Sequence, residues 1–282
     1  MMKYEDYLNE IIQLAMREDL GEGDHSSIAC FNGNEKGNAR IFAKESGVLA
    51  GVEVAKAVFA AYDKNIKVET YLVDGDTIGP GDEILTISGN KRNILTAERV
   101  VLNFLQRMSG IATKTREYTD AIHGTNAQIL DTRKTTPGMR LLEKEAVRIG
   151  GGKNHRMGLY DMIMLKDNHI DFAGGICEAI NMAKAYLKKK EIDIPIEIEV
   201  RNFEELEQVL ESEKVDRVML DNFTVEDTRQ AVKHVNKRIE LESSGGITLK
   251  NLRAYAETGV DYISVGSLTH HIKSLDISLY VV

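Results

Sequence analysis

The 282-residue chain has no tryptophan, only two cysteines (Cys30 and Cys177), and no apolar run approaching the ~18 residues a membrane-spanning helix needs. Two cysteines without a CxxC pair exclude a disulfide framework and a thiolate metal site. They predict reduced thiols in a cytoplasmic protein, both serving as packing residues. The missing tryptophan argues against a sugar-stacking platform. No GxGxxG occurs, and the nearest approach to a Walker loop fails: Gly152-Lys153 is followed by Asn154, and Val147 stands where the first glycine should be. There is no HExxH, and His169, His270 and His271 have no metal-ligand spacing, so they read as structural. The opening residues carry acids among apolar positions at helical spacing (Tyr4, Leu8, Ile11, Ile12, Ala15), which reads as an amphipathic helix and not a signal peptide.

What the chain does have is an uneven charge distribution. It carries 36 basic and 44 acidic residues, a net charge of −8, yet residues 131–170 alone sum to +3 and the remainder to −11. A basic island in an acidic protein points to a small, highly charged anion and away from a nucleic-acid face. Within it, Arg140, Lys144 and Arg148 are helically spaced and read as solvated helix charges, with Glu145 and Arg148 able to pair. Arg133, Lys134, His155, Arg156 and Lys166 instead end apolar runs or follow a glycine tract, where folds present function.

The apolar pattern predicts two architectures in series. After a loop at 18–27, with Asp24 as a helix cap, alternating runs and the helical VEVAKAVFAAY give a small antiparallel sheet with a helix, an α+β unit. A long helix from Asn93 to about Gly124 follows, with a break expected at Gly110; from spacing alone Arg99 and Arg107 are surface positions on it. Beyond Ala127, six short apolar runs (AQIL, MIML, IEIEV, RVML, IELE, YISV) alternate with helices at 138–149, 175–190, 203–212, 225–236 and 248–258. That is the mark of parallel βα units, too few for an eightfold barrel of ~250 residues. The fold class expected is α/β: an N-terminal α+β sandwich domain over 1–110, joined by the C-terminal segment 271–282, followed by an irregular, incomplete α/β barrel over 111–270.

The C-terminal ends of those six runs carry Asp131-Thr-Arg133-Lys134, Lys166-Asp167-Asn168-His169, Glu199, Asp221-Asn222, Glu242 to Gly246, and Gly266-Ser267. Loops at this edge converge on the ligand in α/β barrels, and glycine turns after the last strands suit a phosphate. Glu199 and Asp221 could hold Mg²⁺ with substrate oxygens, act as a glycosidase pair, or simply pair with nearby cations. Arg156 could grip a substrate carboxylate bidentately, with His155 as a second donor.

The strings DTRKTTPG, GGGKNHRMGL, KDNHI, LDN and SSGGIT, with AERVVLNFLQRMSGIAT before and TGVDYISVGSLTH after, resemble the quinolinate phosphoribosyltransferase family over nearly the whole chain. The resemblance implies a type II phosphoribosyltransferase of de novo NAD biosynthesis acting on quinolinate and phosphoribosyl pyrophosphate with Mg²⁺, as a dimer or a hexamer built of dimers, with no nucleic-acid or membrane partner. By motif, Arg133, His155, Arg156 and Lys166 would surround quinolinate, and Lys134, Thr135 and Lys166 would meet phosphoribosyl pyrophosphate. Glu199 and Asp221 would serve Mg²⁺ and the ribose hydroxyls. Ser244, Gly245 and Gly246 with Val265, Gly266 and Ser267 would hold the 5′-phosphate. Lys134, Lys166, Glu199 and Asp221 would be the catalytic set. Arg99, in the AER string, would reach the neighbouring subunit's site, which reverses its surface reading. The sequence departs from the family at His25, Ser26, Ser27 and Ser243, none assigned chemistry. The rival readings are a molybdenum-operon relative with another substrate and a non-catalytic nucleotide sensor on the same fold.

Overall fold

The computed structural model describes residues 3–212 and 215–282. In chain order the elements are α1 (Tyr4–Leu20), α2 (His25–Cys30), β1 (Lys36–Ala43), β2 (Gly47–Val48), α3 (Val52–Tyr62), β3 (Lys67–Thr70), β4 (Thr77–Ile78), β5 (Glu83–Asn90), α4 (Lys91–Ala121), β6 (Gln128–Leu130), α5 (Arg140–Ile149), β7 (Ile163–Leu165), α6 (Asp167–Ala173), α7 (Ile176–Lys190), β8 (Ile196–Val200), α8 (Phe203–Glu211), β9 (Arg217–Asp221), α9 (Val225–Val235), β10 (Glu240–Ser244), α10 (Leu252–Ala256), β11 (Tyr262–Ser264), α11 (Ser267–His270) and β12 (Ile277–Val281). Two compact units result. The first comprises residues up to Arg116 with Thr135–Gly151 and Leu268–Val282; the second comprises Glu117–Lys134 and Gly152–Ser267.

In the first unit an antiparallel sheet runs β12-β1-β5-β3, so the last strand of the chain closes one edge, with Ala39 opposite Val281 and Ala43 opposite Ile277. Ile41, Ala43, Leu85, Ile87, Val58 and Phe59 are fully buried beneath it. Asp24 does cap α2, accepting from the Ser27 N–H at 3.0 Å, and its other oxygen accepts from Thr96 Oγ1 at 2.9 Å, which ties the short helix to α4. The cysteine expectation fails in part: Cys30, the last residue of α2, is exposed.

Contrary to the expected break, α4 runs unbroken through Gly110. The glycine is there for close approach, because a Cβ would overlap the Lys273 carbonyl oxygen and lie 3.1 Å from Ser274 Cα. Arg107 is also no surface residue: it donates through Nε and Nη2 to Glu143 Oε1 at 2.8 and 2.6 Å and through Nη2 to Thr136 Oγ1 at 2.7 Å. Glu143 is wholly buried, and so is Lys144, which was expected in solvent. Helix α5 thus buries Glu143 and Lys144, leaving only Arg148 of the three expected solvated charges exposed, paired with Glu145 at 2.6 Å; Arg140 is half-buried and donates to Thr135 Oγ1.

All six expected runs form strands in the second unit, in one parallel sheet of order β6-β11-β10-β9-β8-β7. Apart from β6, each strand pairs with its sequence neighbour, and β6 joins the other end beside β11. The ring is left open between β6 and β7, an incomplete barrel. Chain just before β7 occupies part of that opening: the Lys153 N–H donates to the Ile129 carbonyl at 2.8 Å and its carbonyl accepts from the Asp131 N–H at 3.1 Å. Helix α6, which begins at the Asp167 of KDNHI, was not anticipated. The core of this unit comprises Ile198, Val200, Leu206, Val218, Leu220, Ala231, Leu252 and Ile263, each fully buried and each large aliphatic contributing ~1.5–3 kcal/mol. Side chains on the helices start as their caps dictate: Asn202 accepts from the Glu205 N–H at 2.9 Å and Thr224 from the Asp227 N–H at 3.1 Å. Helix α10 is shorter than the expected 248–258 because the Asn251 side chain binds back to Thr248 N–H and Gly246 O, closing a turn where a helix would begin. Among the described residues, no helix is long and apolar enough to cross a membrane.

Candidate active site

Period-two alternation in the strands decides which side chains meet. In β8, IEIEV, the isoleucines and Val200 share one face and Glu197 and Glu199 the other; register matches them to Arg217, Met219 and Asp221 of β9 and to Glu240, Glu242 and Ser244 of β10. One face of the sheet is therefore polar, with Glu199, Asp221 and Ser244 at the C-terminal ends of three adjacent strands. Of the residues assigned by motif, Arg133, Lys134, His155, Arg156, Lys166, Glu199, Asp221, Ser244, Gly245, Gly246, Val265, Gly266 and Ser267 all lie in the second unit; Arg99 and Thr135 lie in the first.

Lys166 leaves β7 as the residue before α6, and its backbone N–H donates to His169 Nδ1 at 3.0 Å. His169 thus caps the start of α6. The Lys166 ammonium meets Glu199 Oε1, so a cation and a carboxylate from neighbouring strands stand together at the rim. Asp221 Oδ2 accepts from its neighbour's amide, Asn222 Nδ2, at 3.1 Å. Asn222 adopts a left-handed backbone (φ +55), and its N–H donates to the Ser244 carbonyl at 2.9 Å. Its side-chain oxygen presses on Gly245 so closely that a Cβ there would overlap it, while Gly246 borders open space. Val265 is pinned by its N–H to the Leu130 carbonyl at 2.9 Å, which brings the 265–267 turn beside the end of β6. Ser267 Oγ lies 3.5 Å from the Tyr118 hydroxyl.

Arg156 lies within electrostatic reach of Arg133. Burial, and after it the Arg133 charge, hold the half-buried Arg156 guanidinium below its ordinary value, while Glu197, Asp161 and Glu199 pull the other way. Its Nη1 also donates to the Met162 carbonyl at 3.4 Å.

His155 does not point outward as a ready substrate donor. It is 8% exposed; its N–H donates to Asp131 Oδ1 at 2.8 Å, Nδ1 accepts the Arg156 N–H at 2.7 Å, and Nε2 lies 2.9 Å from Glu197 and 3.3 Å from Glu242. Burial disfavours a charged ring and the two carboxylates favour it, the carboxylates prevailing; the Arg156 N–H on Nδ1 opposes a second proton. With Nδ1 accepting the Arg156 N–H, Nε2 is the ring nitrogen that carries the proton, on the side of the two acids. Burial, then Glu242, pushes the Glu197 carboxyl up to about 7. Arg217, 3.2 Å from Glu242 and stacked on the Tyr262 ring, balances the other charge. Asp131, Asn222 and Glu242 were read from sequence only as strand-end residues with no role of their own, and Glu197 was not singled out, although acids at every second position of IEIEV were the available sign.

Two family models match, the quinolinate phosphoribosyl transferase N-terminal domain over residues 24–109 and the C-terminal domain over 111–280. The chain belongs to the quinolinate phosphoribosyltransferase family. It is 46% identical to quinolinate phosphoribosyltransferase [decarboxylating] 2, mitochondrial, of Nicotiana glauca, covering 97% of this chain and 82% of the relative. It is 43% identical to the probable nicotinate-nucleotide pyrophosphorylase [carboxylating] of Bacillus subtilis, covering 97% and 93%. The crystal structure of NadC from Streptococcus pyogenes superposes with a TM-score of 0.94 at 40% identity, covering 100% of this chain and 99% of that one. Like other quinolinate phosphoribosyltransferases of known structure, the chain thus joins an antiparallel N-terminal sheet to a parallel α/β domain.

Proposed function

We infer that this chain transfers the phosphoribosyl group of phosphoribosyl pyrophosphate to quinolinate with decarboxylation, giving nicotinate mononucleotide, pyrophosphate and CO₂ in de novo NAD biosynthesis. The observation that carries the reading is the cationic set of one unit: the half-buried Arg156, whose charge is disfavoured by burial and then by Arg133, with Lys166 paired to Glu199 at the rim. Such repulsion is relieved by a dianion such as a pyridine dicarboxylate. No observation favours the nucleotide-sensor or molybdenum-operon readings.

In this reading the pyridine nitrogen forms a bond to C1 of the ribose while the C1–O bond to pyrophosphate breaks, the electron pair leaving with pyrophosphate. Lys134 and Lys166 stabilise the charge that develops on the leaving group, and fixed cations need no reorganisation to do so. The quaternised ring then loses its 2-carboxylate as CO₂, and the carbanion left at C2 takes a proton from water. Arg133 and Arg156 orient the two carboxylates, and the backbone of 244–246 and 265–267 receives the 5′-phosphate. Glu199 and Asp221 suit Mg²⁺: both are hard oxygen donors, and each is oriented through one oxygen, by Lys166 and by Asn222, leaving the other. Bound Mg²⁺ would neutralise pyrophosphate charge. We further assign a homodimer or trimer of dimers in which Arg99 completes the neighbour's site, and, from two free cysteines, a cytoplasmic location.

The test is to supply purified protein, Mg²⁺ and phosphoribosyl pyrophosphate with quinolinate or with nicotinate and to follow nicotinate mononucleotide and CO₂. Quinolinate is turned over and nicotinate is not, because one missing carboxylate leaves a partly buried cation unpaired at a cost of ~2–5 kcal/mol. Comparable rates on the two acids would overturn the reading, and full activity in excess chelator would overturn the metal assignment.

A further inference from the structure

We propose that Glu197 and Glu242 are positioning residues that act through His155 to set the separation of Arg133 and Arg156, and with it the site's selectivity for an acceptor bearing two carboxylates. The argument starts from where buried hydrogen bonds lead. Asp131 stands two residues before Arg133 and accepts the His155 N–H at 2.8 Å; the His155 ring accepts the N–H of Arg156 at 2.7 Å. These bonds tie together both arginine-bearing segments, one leaving β6 and the other entering from the glycine tract, and His155 is the middle link, through its backbone N–H on the Asp131 side and through its ring on the Arg156 side.

That link is itself anchored. Nε2 lies 2.9 Å from Glu197 on β8 and 3.3 Å from Glu242 on β10, two strands separated by β9, so one ring atom meets acids from both. Both glutamates are completely buried, and Glu242 is in turn held 3.2 Å from Arg217 of β9. The segment from Gly152 to Met162 contains no helix and only the single bridge at Lys153, so its path depends on such side-chain anchors. Misplacing a clamp by ~1 Å can cost about 100-fold in rate, which makes an anchor behind two arginines consequential although it never meets substrate. The donor atoms of the three residues lie within 4.8 Å of one another, a spread that could suit a metal, but the adjacent Arg217 already supplies positive charge and the imidazole Nε2 carries the proton.

The inference rests on Arg133 and Arg156 binding the acceptor, so Arg156→Ala is measured alongside. The informative variants are Glu197→Gln, Glu242→Gln, His155→Asn and the double variant Glu197→Gln/His155→Asn. Steady-state kinetics on each substrate are combined with quinolinate binding by calorimetry and with far-ultraviolet circular dichroism. Glu197→Gln is expected to raise the KM for quinolinate at least tenfold while the KM for phosphoribosyl pyrophosphate stays within twofold. Because the glutamate acts through the ring, the double variant should be no worse than His155→Asn alone. If Glu242→Gln fails to fold once Arg217 loses its partner, Glu197→Gln and the double variant still decide. Additive effects in the double variant, both KM values rising together, or an unchanged quinolinate KM would overturn the proposal. If Arg156→Ala leaves quinolinate binding intact, the acceptor assignment itself fails; if it abolishes binding while the glutamate variants behave as wild type, only the positioning role falls.

Discussion

At the scale of single residues, the glycines of the SSGGIT turn carry different loads although the sequence writes them side by side. Gly245 has φ +96 and lies so close to Asn222 that a methyl group would overlap its side-chain oxygen and approach its backbone nitrogen to 3.1 Å; Gly246, with φ +63, borders open space. Gly246→Ala therefore meets only the left-handed backbone penalty of ~1–2 kcal/mol. Gly245→Ala adds a clash with the residue that orients Asp221 and donates to the Ser244 carbonyl. If 244–246 receives the 5′-phosphate, Gly245→Ala should raise the KM for phosphoribosyl pyrophosphate tenfold or more, and Gly246→Ala by less than about threefold, each 1.4 kcal/mol being worth a factor of ten. Equal effects in the two kinetic series would detach the turn from the phosphate. Gly110 gives a second case, since on intrinsic propensity alanine should stabilise an α-helix by ~1 kcal/mol there. The Lys273 carbonyl occupies the space a Cβ would need, so overpacking of ~1–3 kcal/mol should win and Gly110→Ala should lower the denaturation midpoint. A raised midpoint would show that the 273–274 backbone yields freely.

At the scale of elements, α5 is held by charge inside a largely apolar contact. Arg107 reaches from α4 to Glu143, whose side chain is fully buried, and Thr136 completes the set with its N–H on Glu143 Oε2 at 3.1 Å. Arg107→Ala strands a buried carboxylate, so a loss of ~3–5 kcal/mol is expected, whereas Arg107→Ala combined with Glu143→Gln should recover part of it. Denaturant unfolding of the single and double variants checks this, and additive losses would mean that the pair is not coupled. The elements themselves were legible wherever periodicity was strong: six strands at six apolar runs, and α7, α8 and α9 within one or two residues of their expected ends. Legibility failed where the cause was a tertiary contact. Spacing could not show that Gly110 admits a neighbouring backbone, that Lys144 is buried, or that Arg107 has a buried partner 36 residues away. It also missed α6, because seven residues after a charged strand end hold too little apolar pattern to declare a helix.

At the scale of the whole molecule, the site was legible as a list before it was legible as an arrangement. The polar rim of Lys166, Glu199, Asp221 and the two glycine turns followed from what ends each apolar run, whereas the inward orientation of His155 depends on Glu197 and Glu242, acids that spacing places on a strand without saying what they face. Arg99, like Thr135, belongs to the first unit, whereas the rim residues belong to the second. It is exposed on α4, on the side opposite the buried Ala97, Val101, Leu105 and Met108, and among the described residues it has no ion pair. A guanidinium on a solvent face is idle in an isolated chain, but in a symmetric dimer it can serve the other copy. If so, Arg99→Ala and Lys134→Ala homodimers should each be nearly inactive. Mixing them under subunit exchange creates heterodimers in which one site keeps its own Lys134 and receives an intact Arg99 from the other chain. At random exchange about half the dimers are mixed, each with one good site of two, so activity should return to roughly a quarter of wild type. Native mass spectrometry establishes that exchange has occurred. Should exchange be complete and no activity return, Arg99 works within its own chain or not at all, and the shared-site assignment must be withdrawn.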